Sequence, residues 1–437
     1  MLNEFINVGY LSQVTLITSG GKTIDISLQV KEISIIESLF SNYINGTMVI
    51  RDIPETRLIQ DGMVTAKDKI IFEFAGKKAD SNKSPEDPIK IELSVYKLET
   101  KPEDGYARQM GILYLVSDEL FLNNTKEISR SFEGRVSDLA QTICDELKIT
   151  NVDIEPTEDF YKFISIYKSP FELLNFLTTK AIPKRNKYDM NYVFYQDIDR
   201  KYHFRSIGSL YEAQPKVGTN VDDGFVHLIP VSDWNDDLIK RMVLQFQATD
   251  LSALKNAMGG MYTSQIFTTD TRNKSYTMTT FNMKNVFDKQ THLSNDEIIL
   301  NDISDEKFKK TLTSAYLTRN GQLMPYCYDC ERNKGFQDKI GGPQDIVLLR
   351  LNSMEQLNQL GITIKINGNS TLRAGDVIYF GRPIEKMFSS EKPYKDILYS
   401  GKYMILDIIH NIVVAKDGVL TEYTTTLKAI KDSIGEE

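Results

Sequence analysis

Cysteine, histidine and tryptophan are scarce in this chain: three, four and one among 437 residues. Three cysteines cannot build a disulfide framework, and their odd number suits synthesis in a reducing cytosol. Four scattered histidines leave little material for a catalytic triad or a zinc shell. No apolar run approaches the ~18 residues that a membrane-spanning helix needs. The first residues, Met1-Leu2-Asn3-Glu4-Phe5, lack the basic and apolar regions of a secretory signal. The sequons at Asn45, Asn273 and Asn369 are therefore read as chance, because glycosylation requires secretion. Positive charge is also short, with 52 Lys and Arg against 60 Asp and Glu and a net charge of -8. A protein that coats nucleic acid needs the opposite balance to displace counterions. What the chain does have is aromatic: 22 Tyr and 21 Phe, with 41% hydrophobic residues overall. That content excludes a disordered chain, and the length corresponds to about two to four domains.

Hydrophobic patterning divides the chain. Residues 1–117 read as short strands, with Val14 to Ile17 and Ile24 to Val30 split by the turn Ser19-Gly20-Gly21-Lys22. Gly46 looks like a hairpin break between Tyr43-Ile44 and Thr47 to Ile50. Ile70, Phe72 and Phe74 share one face at period two, as do Ile91, Leu93 and Val95. The charged stretch Gly76 to Pro88 between them reads as a loop, and the whole as a barrel or sandwich. Residues 118–212 form an α/β block. Val136, Leu139, Ala140, Ile143, Cys144 and Leu147 have helical spacing, which makes Cys144 core filler. Ser169-Pro170-Phe171-Glu172 is a capping box with proline at the first helical position. Tyr192 to Tyr195 and Tyr202 to Phe204 are strands around the acidic turn Asp197-Ile198-Asp199. Residues 213–235 read as a linker and Leu238 to Phe246 as a strand. Residues from about 251 to 345 are polar and mixed, with the turn Gly259-Gly260-Met261 and a helix expected from Asp305 to Leu317, and another helix is expected over Ile346 to Leu360, ended by Gly361. Strand patterns return from Ile362 onward, over Val377 to Phe380, Lys402 to Val414 and Leu420 to Ile430. The fold class is thus α+β and β-dominated.

No motif supplies chemistry. Gly20-Gly21-Lys22-Thr23 mimics the end of a phosphate loop, but Leu16 occupies the place of its first glycine. Cys327-Tyr328-Asp329-Cys330 has the spacing of half a zinc site or a redox pair, without the two further ligands or the helix context. Cys327 and Cys330 are the sole metal candidates, and His292, the nearest histidine, does not complete their shell. His410 lies in an extended run and reads as a hydrogen-bonded strand residue. Acidic pairs at Asp222-Asp223 and Asp236-Asp237 would suit a glycosidase, yet such pairs arise by chance among 60 acids. Lys307 to Lys310 reads as the wet face of a helix. No catalytic residue, cofactor or metal is expected.

The order of segments is more informative. Ser38-Leu39-Phe40 through Gly46 to Asp52, Ser131-Phe132-Glu133-Gly134 before the Val136 helix, and Lys168 to Glu172 with Asn191 to Tyr195 and His203 to Ser206 follow one another. Gly260 to Ser264, Leu349-Arg350-Leu351 to Gly361, Leu372 to Ile378, Ser400 to His410 and Tyr423 to Leu427 complete the series. In this order the chain resembles the central baseplate hub proteins of contractile-tailed bacteriophages, which are related to the hub half of type VI secretion spike proteins. The loop at 76–88 and residues 320–345 have no counterpart in that pattern. The resemblance implies two similar tube-like β-barrels, at 1–117 and at 213–250 with 362–437, an α/β domain at 118–212 and an insertion at 251–361. It further implies a non-enzymatic virion protein, assembled in the host cytoplasm as a homotrimer. Its implied partners are the central spike, the tail tube or its initiator, baseplate wedges and the tape measure, with DNA passing unbound through the bore. The competing readings are the hub of another contractile injection machine, a β-rich carbohydrate hydrolase with paired carboxylates, and a carbohydrate- or receptor-binding module. The lone Trp234, set among acids, offers no aromatic cluster for the last.

Overall fold

The computed structural model describes residues 9–435, apart from 53–57, 60–63, 77–87, 103–108, 228–239, 250–255, 298–312, 320–342, 385–393, 415–420 and a few short gaps. The N-terminal part supplies β1 (Gly9–Leu11), β2 (Thr15–Ile17), β3 (Thr23–Asp25), β4 (Val30–Ser38), β5 (Asn45–Arg51), β6 (Lys69–Gly76), β7 (Ile89–Pro102) and β8 (Gln109–Val116). Period-two alternation sends Ile70, Phe72 and Phe74 of β6 and Ile91, Leu93 and Val95 of β7 into one core. Gly46 lies inside β5 instead of at a hairpin break. A Cβ there would stand 2.7 Å from the Ser34 carbonyl oxygen and 2.6 Å from Ile35 Cδ1, so the residue permits close strand approach. The expected loop at 77–87 lies outside the described residues.

The α/β part comprises α1 (Asp118–Thr125), β9 (Ser131–Arg135), α2 (Val136–Glu146), β10 (Val152–Ile154), β11 (Phe160–Ile164), α3 (Pro170–Thr178), β12 (Tyr192–Gln196), β13 (Tyr202–Ser206) and α4 (Ile207–Tyr211). The apolar stripe of α2 packs with Phe171, Leu173, Leu174 and Leu177 of α3 over the sheet β10-β13-β12. Both bonds of the capping box at Ser169 are made.

Two strands follow, β14 (Phe225–His227) and β15 (Met242–Ala248). Part of the supposed linker is therefore strand: β14 runs parallel to both β15 and a later strand. Next come β16 (Thr263–Asp270), β17 (Ser275–Asn282), short 3-10 turns at Met283–Asn285 and Phe287–Lys289, β18 (Asp296–Glu297), β19 (Thr313–Arg319) and α5 (Pro343–Gln356). The helix expected over 305–317 does not reach its expected end. Its end is β19, parallel to β16, and β-branched and aromatic residues favour that state. Residues 305–312, with the lysine run, lie outside the described residues. α5 also stops earlier than expected, and Gly361 is no helix cap. It sits in β20 (Leu360–Asn367) opposite Ile430, where a Cβ would come 2.9 Å from Thr249 Oγ1. The chain closes with β21 (Val377–Gly381), β22 (Pro383–Ile384), β23 (Tyr394–Lys395), β24 (Gly401–Val414), β25 (Thr421–Lys431) and β26 (Ser433–Ile434).

Fourteen of these strands form one sheet, in the order β21-β14-β15-β20-β25-β24-β4-β5-β8-β7-β6-β2-β3 with β1 on β6. β21 also pairs with β24, so the pairings run full circle through six strands. The ring encloses a core of Phe225, Val243, Ile364, Phe380, Tyr403 and Leu427 among others. β24 changes neighbours along its length: residues 401–404 pair with β21 and 407–413 with β4. Its far end and that of β25 supply Ile412 and Tyr423 to the N-terminal core, so one hairpin serves both cores.

Four strands shift register by one residue, at Lys31, Leu244, Leu406 and Tyr96. Each shift keeps one core supplied across a change of parity. Tyr403 and Ile405 face the ring's core before Leu406, and Ile408 faces it after. Likewise Val95 faces the N-terminal core before Tyr96, and Leu98 packs on it after. An extra residue in a strand rotates everything beyond it to the opposite face, and the sequence alternation reverses in step.

Candidate functional site

The parts of the molecule meet around a buried carboxyl group. A core of Leu39, Val193, Tyr195, Leu210, Ala374, Val377 and Met404 draws on the N-terminal sheet, the α/β part and the strand ring. At its edge Glu37 of β4 is fully buried. One carboxyl oxygen accepts the Ile198 amide of the β12–β13 turn at 3.0 Å, and the other accepts the Ala374 amide before β21. One side chain thus bonds backbone from the other two parts. Beside it Arg373 forms a two-pronged pair with Asp199, Nε to Oδ2 at 2.6 Å and Nη2 to Oδ1 at 2.9 Å. Asp197 accepts the Lys201 amide at 2.9 Å and contacts His203 Nε2 at 2.8 Å. Burial pushes the Glu37 carboxyl up to about 8, with nearby Asp197 adding to the rise, against the pull of the Ala374 and Ile198 amides and Arg373.

The chemistry available here is fastening. Glu37 contacts backbone amides and meets no nucleophile, and among the described residues no three His, Cys, Asp or Glu side chains gather as a metal site would require. The other sequence candidates are dispersed. Cys327, Cys330, Asp222, Asp236, Asp237 and Trp234 lie outside the described residues. Asp223 is exposed and accepts the Thr219 hydroxyl. Cys144 is buried on α2, and burial pushes its thiol up to about 12, which suits core filler. Gly20 and Gly21 form a turn, with Gly21 at φ +81° and its amide on the Thr18 carbonyl at 2.8 Å. His410 is a buried strand residue whose Nδ1 lies 2.7 Å from the Tyr423 hydroxyl, and that hydroxyl donates to the Asn369 carbonyl. Burial holds His410 neutral, its pKa down to about 3.

The α/β part also carries a surface feature. At and just beyond the end of β11 the chain exposes Ile164, Ile166 and Tyr167, at 72%, 67% and 71%. The backbone beneath them is pinned, because the Ser165 amide and hydroxyl bond Arg130 and Ile128 carbonyls and Lys168 bridges Ile128. Tyr167 is held at φ +45°, an uncommon conformation for an aromatic residue.

No protein-family model matches the chain, and no curated protein matches it in sequence. Solved structures do. The crystal structure of the 43 kDa tail protein of prophage MuSo2 from Shewanella oneidensis superposes with a TM-score of 0.52 at 9% identity, over 97% of this chain and 100% of that one. The chain has the fold of a prophage tail protein. A tail protein from Neisseria meningitidis MC58 follows, with a TM-score of 0.49 at 8% identity, over 97% of each chain. A Francisella PdpA-VgrG complex scores 0.43 at 8% identity, over 99% of this chain and 55% of that one. The assignment rests on the first. The fold shared with the MuSo2 protein spans the three parts that Glu37 joins, so the joint is internal to it. Sequence reading found the acidic turn but not Glu37, whose place in an alternating strand carries no sign of what its carboxyl group will meet. Its one signal is a glutamate at an inward position of β4, between the apolar Ile35 and Leu39.

Proposed function

We propose that this chain is the structural hub of a contractile phage tail, a homotrimeric ring that adapts a threefold central spike to a sixfold tail tube. The observation that carries the reading is the fold shared with a prophage tail protein over 97% of the chain. In this reading the six-strand ring is one tube-like barrel, and the N-terminal sheet, completed by the tip of the β24–β25 hairpin, is the other. Three chains then contribute six barrels, and a head-to-tail contact repeated around a threefold axis closes the ring. The spike, tube, wedge and tape-measure proteins are its partners, and we assign it no catalytic step. A net charge of -8 suits a passage through which DNA slides, because acidic walls repel phosphates.

Mass photometry of the purified chain, alone and with the spike protein of the same tail, tests the assembly. A trimer is expected, and a monomer under both conditions overturns the reading. A cryo-EM map of the intact tail tip places the chain and reveals the sign of the bore, where a basic lumen would remove the conduit argument.

A further inference from the structure

Outside the joint, one histidine sits in a geometry that its neutral form cannot satisfy. His292 follows the 3-10 turn at Phe287–Lys289, and its side chain is 7% exposed. Nδ1 lies 2.6 Å from Asp432 Oδ2, and Nε2 lies 3.0 Å from the Phe287 carbonyl oxygen. Both neighbours are acceptors. A neutral imidazole carries a single N–H, so one nitrogen would present a lone pair to an oxygen lone pair. With Asp432 ionised, only the imidazolium donates to both. The ring also lies on the Phe287 ring, with centroids 3.7 Å apart and planes 13° from parallel, a position that favours a cation.

The contacts run on from there. Asp432 Oδ1 accepts the Leu293 amide at 3.2 Å and the Ser433 hydroxyl at 2.9 Å, while the Ser294 amide donates to Ser433 Oγ at 2.7 Å. β18 then pairs with β26 through Asp296 and Ile434. On the other side Thr291 gives its amide and hydroxyl to Asp189 at 2.9 and 2.8 Å. Arg185 reaches Asp189 at 2.8 Å but is shared with Glu155 and Glu212. Tyr211 of α4 faces both carboxylates, and burial together with Asp432 and Asp189 raises its hydroxyl well above the ordinary value. The surroundings are therefore acidic, and His292 faces the buried Asp432.

We propose that His292 is a protonation-controlled latch, which as imidazolium fastens residues 287–297 to the chain end at Asp432–Ile434 and on losing its proton releases them. Burial opposes the charge, but Asp432, the Phe287 carbonyl and Asp189 together raise the His292 pKa above its ordinary value. A raised value in the folded chain means that the fastening is complete below the unfolded value of about 6.5 and is lost as pH rises through the folded one.

The test is hydrogen exchange of the full chain between pH 6 and 9, corrected for intrinsic exchange and followed in peptides covering 287–297 and 430–437. Exchange in both should quicken by about tenfold across one shared step, while peptides of α2 show none. In His292→Gln the step disappears, and in Asp432→Asn it moves to lower pH. A flat wild-type profile, a step that persists in His292→Gln, or an unmoved midpoint in Asp432→Asn overturns the proposal. If neither variant folds, nitrogen chemical shifts of wild-type His292 at pH 6 decide. Two protonated nitrogens support the latch, and one bare nitrogen overturns it.

Discussion

Glu37 shows how much a single side chain can do when burial removes water from around it. Its carboxyl group bonds two amides from distant parts of the chain, and burial holds it protonated up to about 8. The folded state therefore keeps a proton that the unfolded chain releases near 4.5. Glu37 should therefore contribute a decline in stability as pH rises between those two values, by up to about 1.4 kcal/mol per unit. Denaturant midpoints from pH 4 to 9 will read this contribution, and Glu37→Gln should make the decline shallower; a variant as pH-dependent as wild type would refute the assignment. Glycine acts by the opposite means, through absence. Gly368 and Gly9 lie against Tyr423, and a Cβ on Gly368 would stand 1.9 Å from the tyrosine ring. Gly368→Ala should therefore destabilise by about 3 kcal/mol, read as a lowered urea midpoint, through overpacking at the seam between the two cores. Neither role was legible in the sequence, because both depend on which residues the fold brings near.

Elements were legible in proportion to their local signals. α3 was read correctly because cap, proline and apolar face lie within nine residues of one another. Ser169→Ala should cost about 1 kcal/mol, measured as a shift in the urea midpoint, with the fold unchanged. β19 was misread as a helix end and Gly361 as a cap, since both lie in strands whose partners are remote in sequence. The register shifts were missed for a related reason. A period-two pattern that reverses parity looks like a broken strand until its neighbours are known. Leu406 makes this testable: it is the extra residue that lets Ile405 and Ile408 face one core. Its deletion should turn residues 407–413 inside out against β4 and abolish folding, seen as lost amide dispersion. Retention of the native spectrum by the deletion variant would show that the shift is dispensable.

At the scale of the whole molecule, the shared β24–β25 hairpin couples the two large cores. Ile405 belongs to one and Ile412 to the other, on the same strand. Ile405→Ala and Ile412→Ala should each cost about 2–4 kcal/mol and lower the same calorimetric transition, because neither core can lose the hairpin and persist. Two separate transitions, each moved by one variant alone, would contradict this coupling.

Residues that are near in sequence determined a great deal by themselves: the β-dominated class, the period-two strands of the N-terminal sheet, and the helices α2 and α3. Composition, periodicity and capping are local properties, and a strand or helix shows its inward face without its partner. The tertiary structure alone decided that Glu37 joins three parts, that Leu406 preserves an inward face, that one hairpin serves two cores and that His292 lies between two acceptors. Each of these depends on contacts between residues far apart in the chain, and no local pattern records which distant atom a side chain will meet.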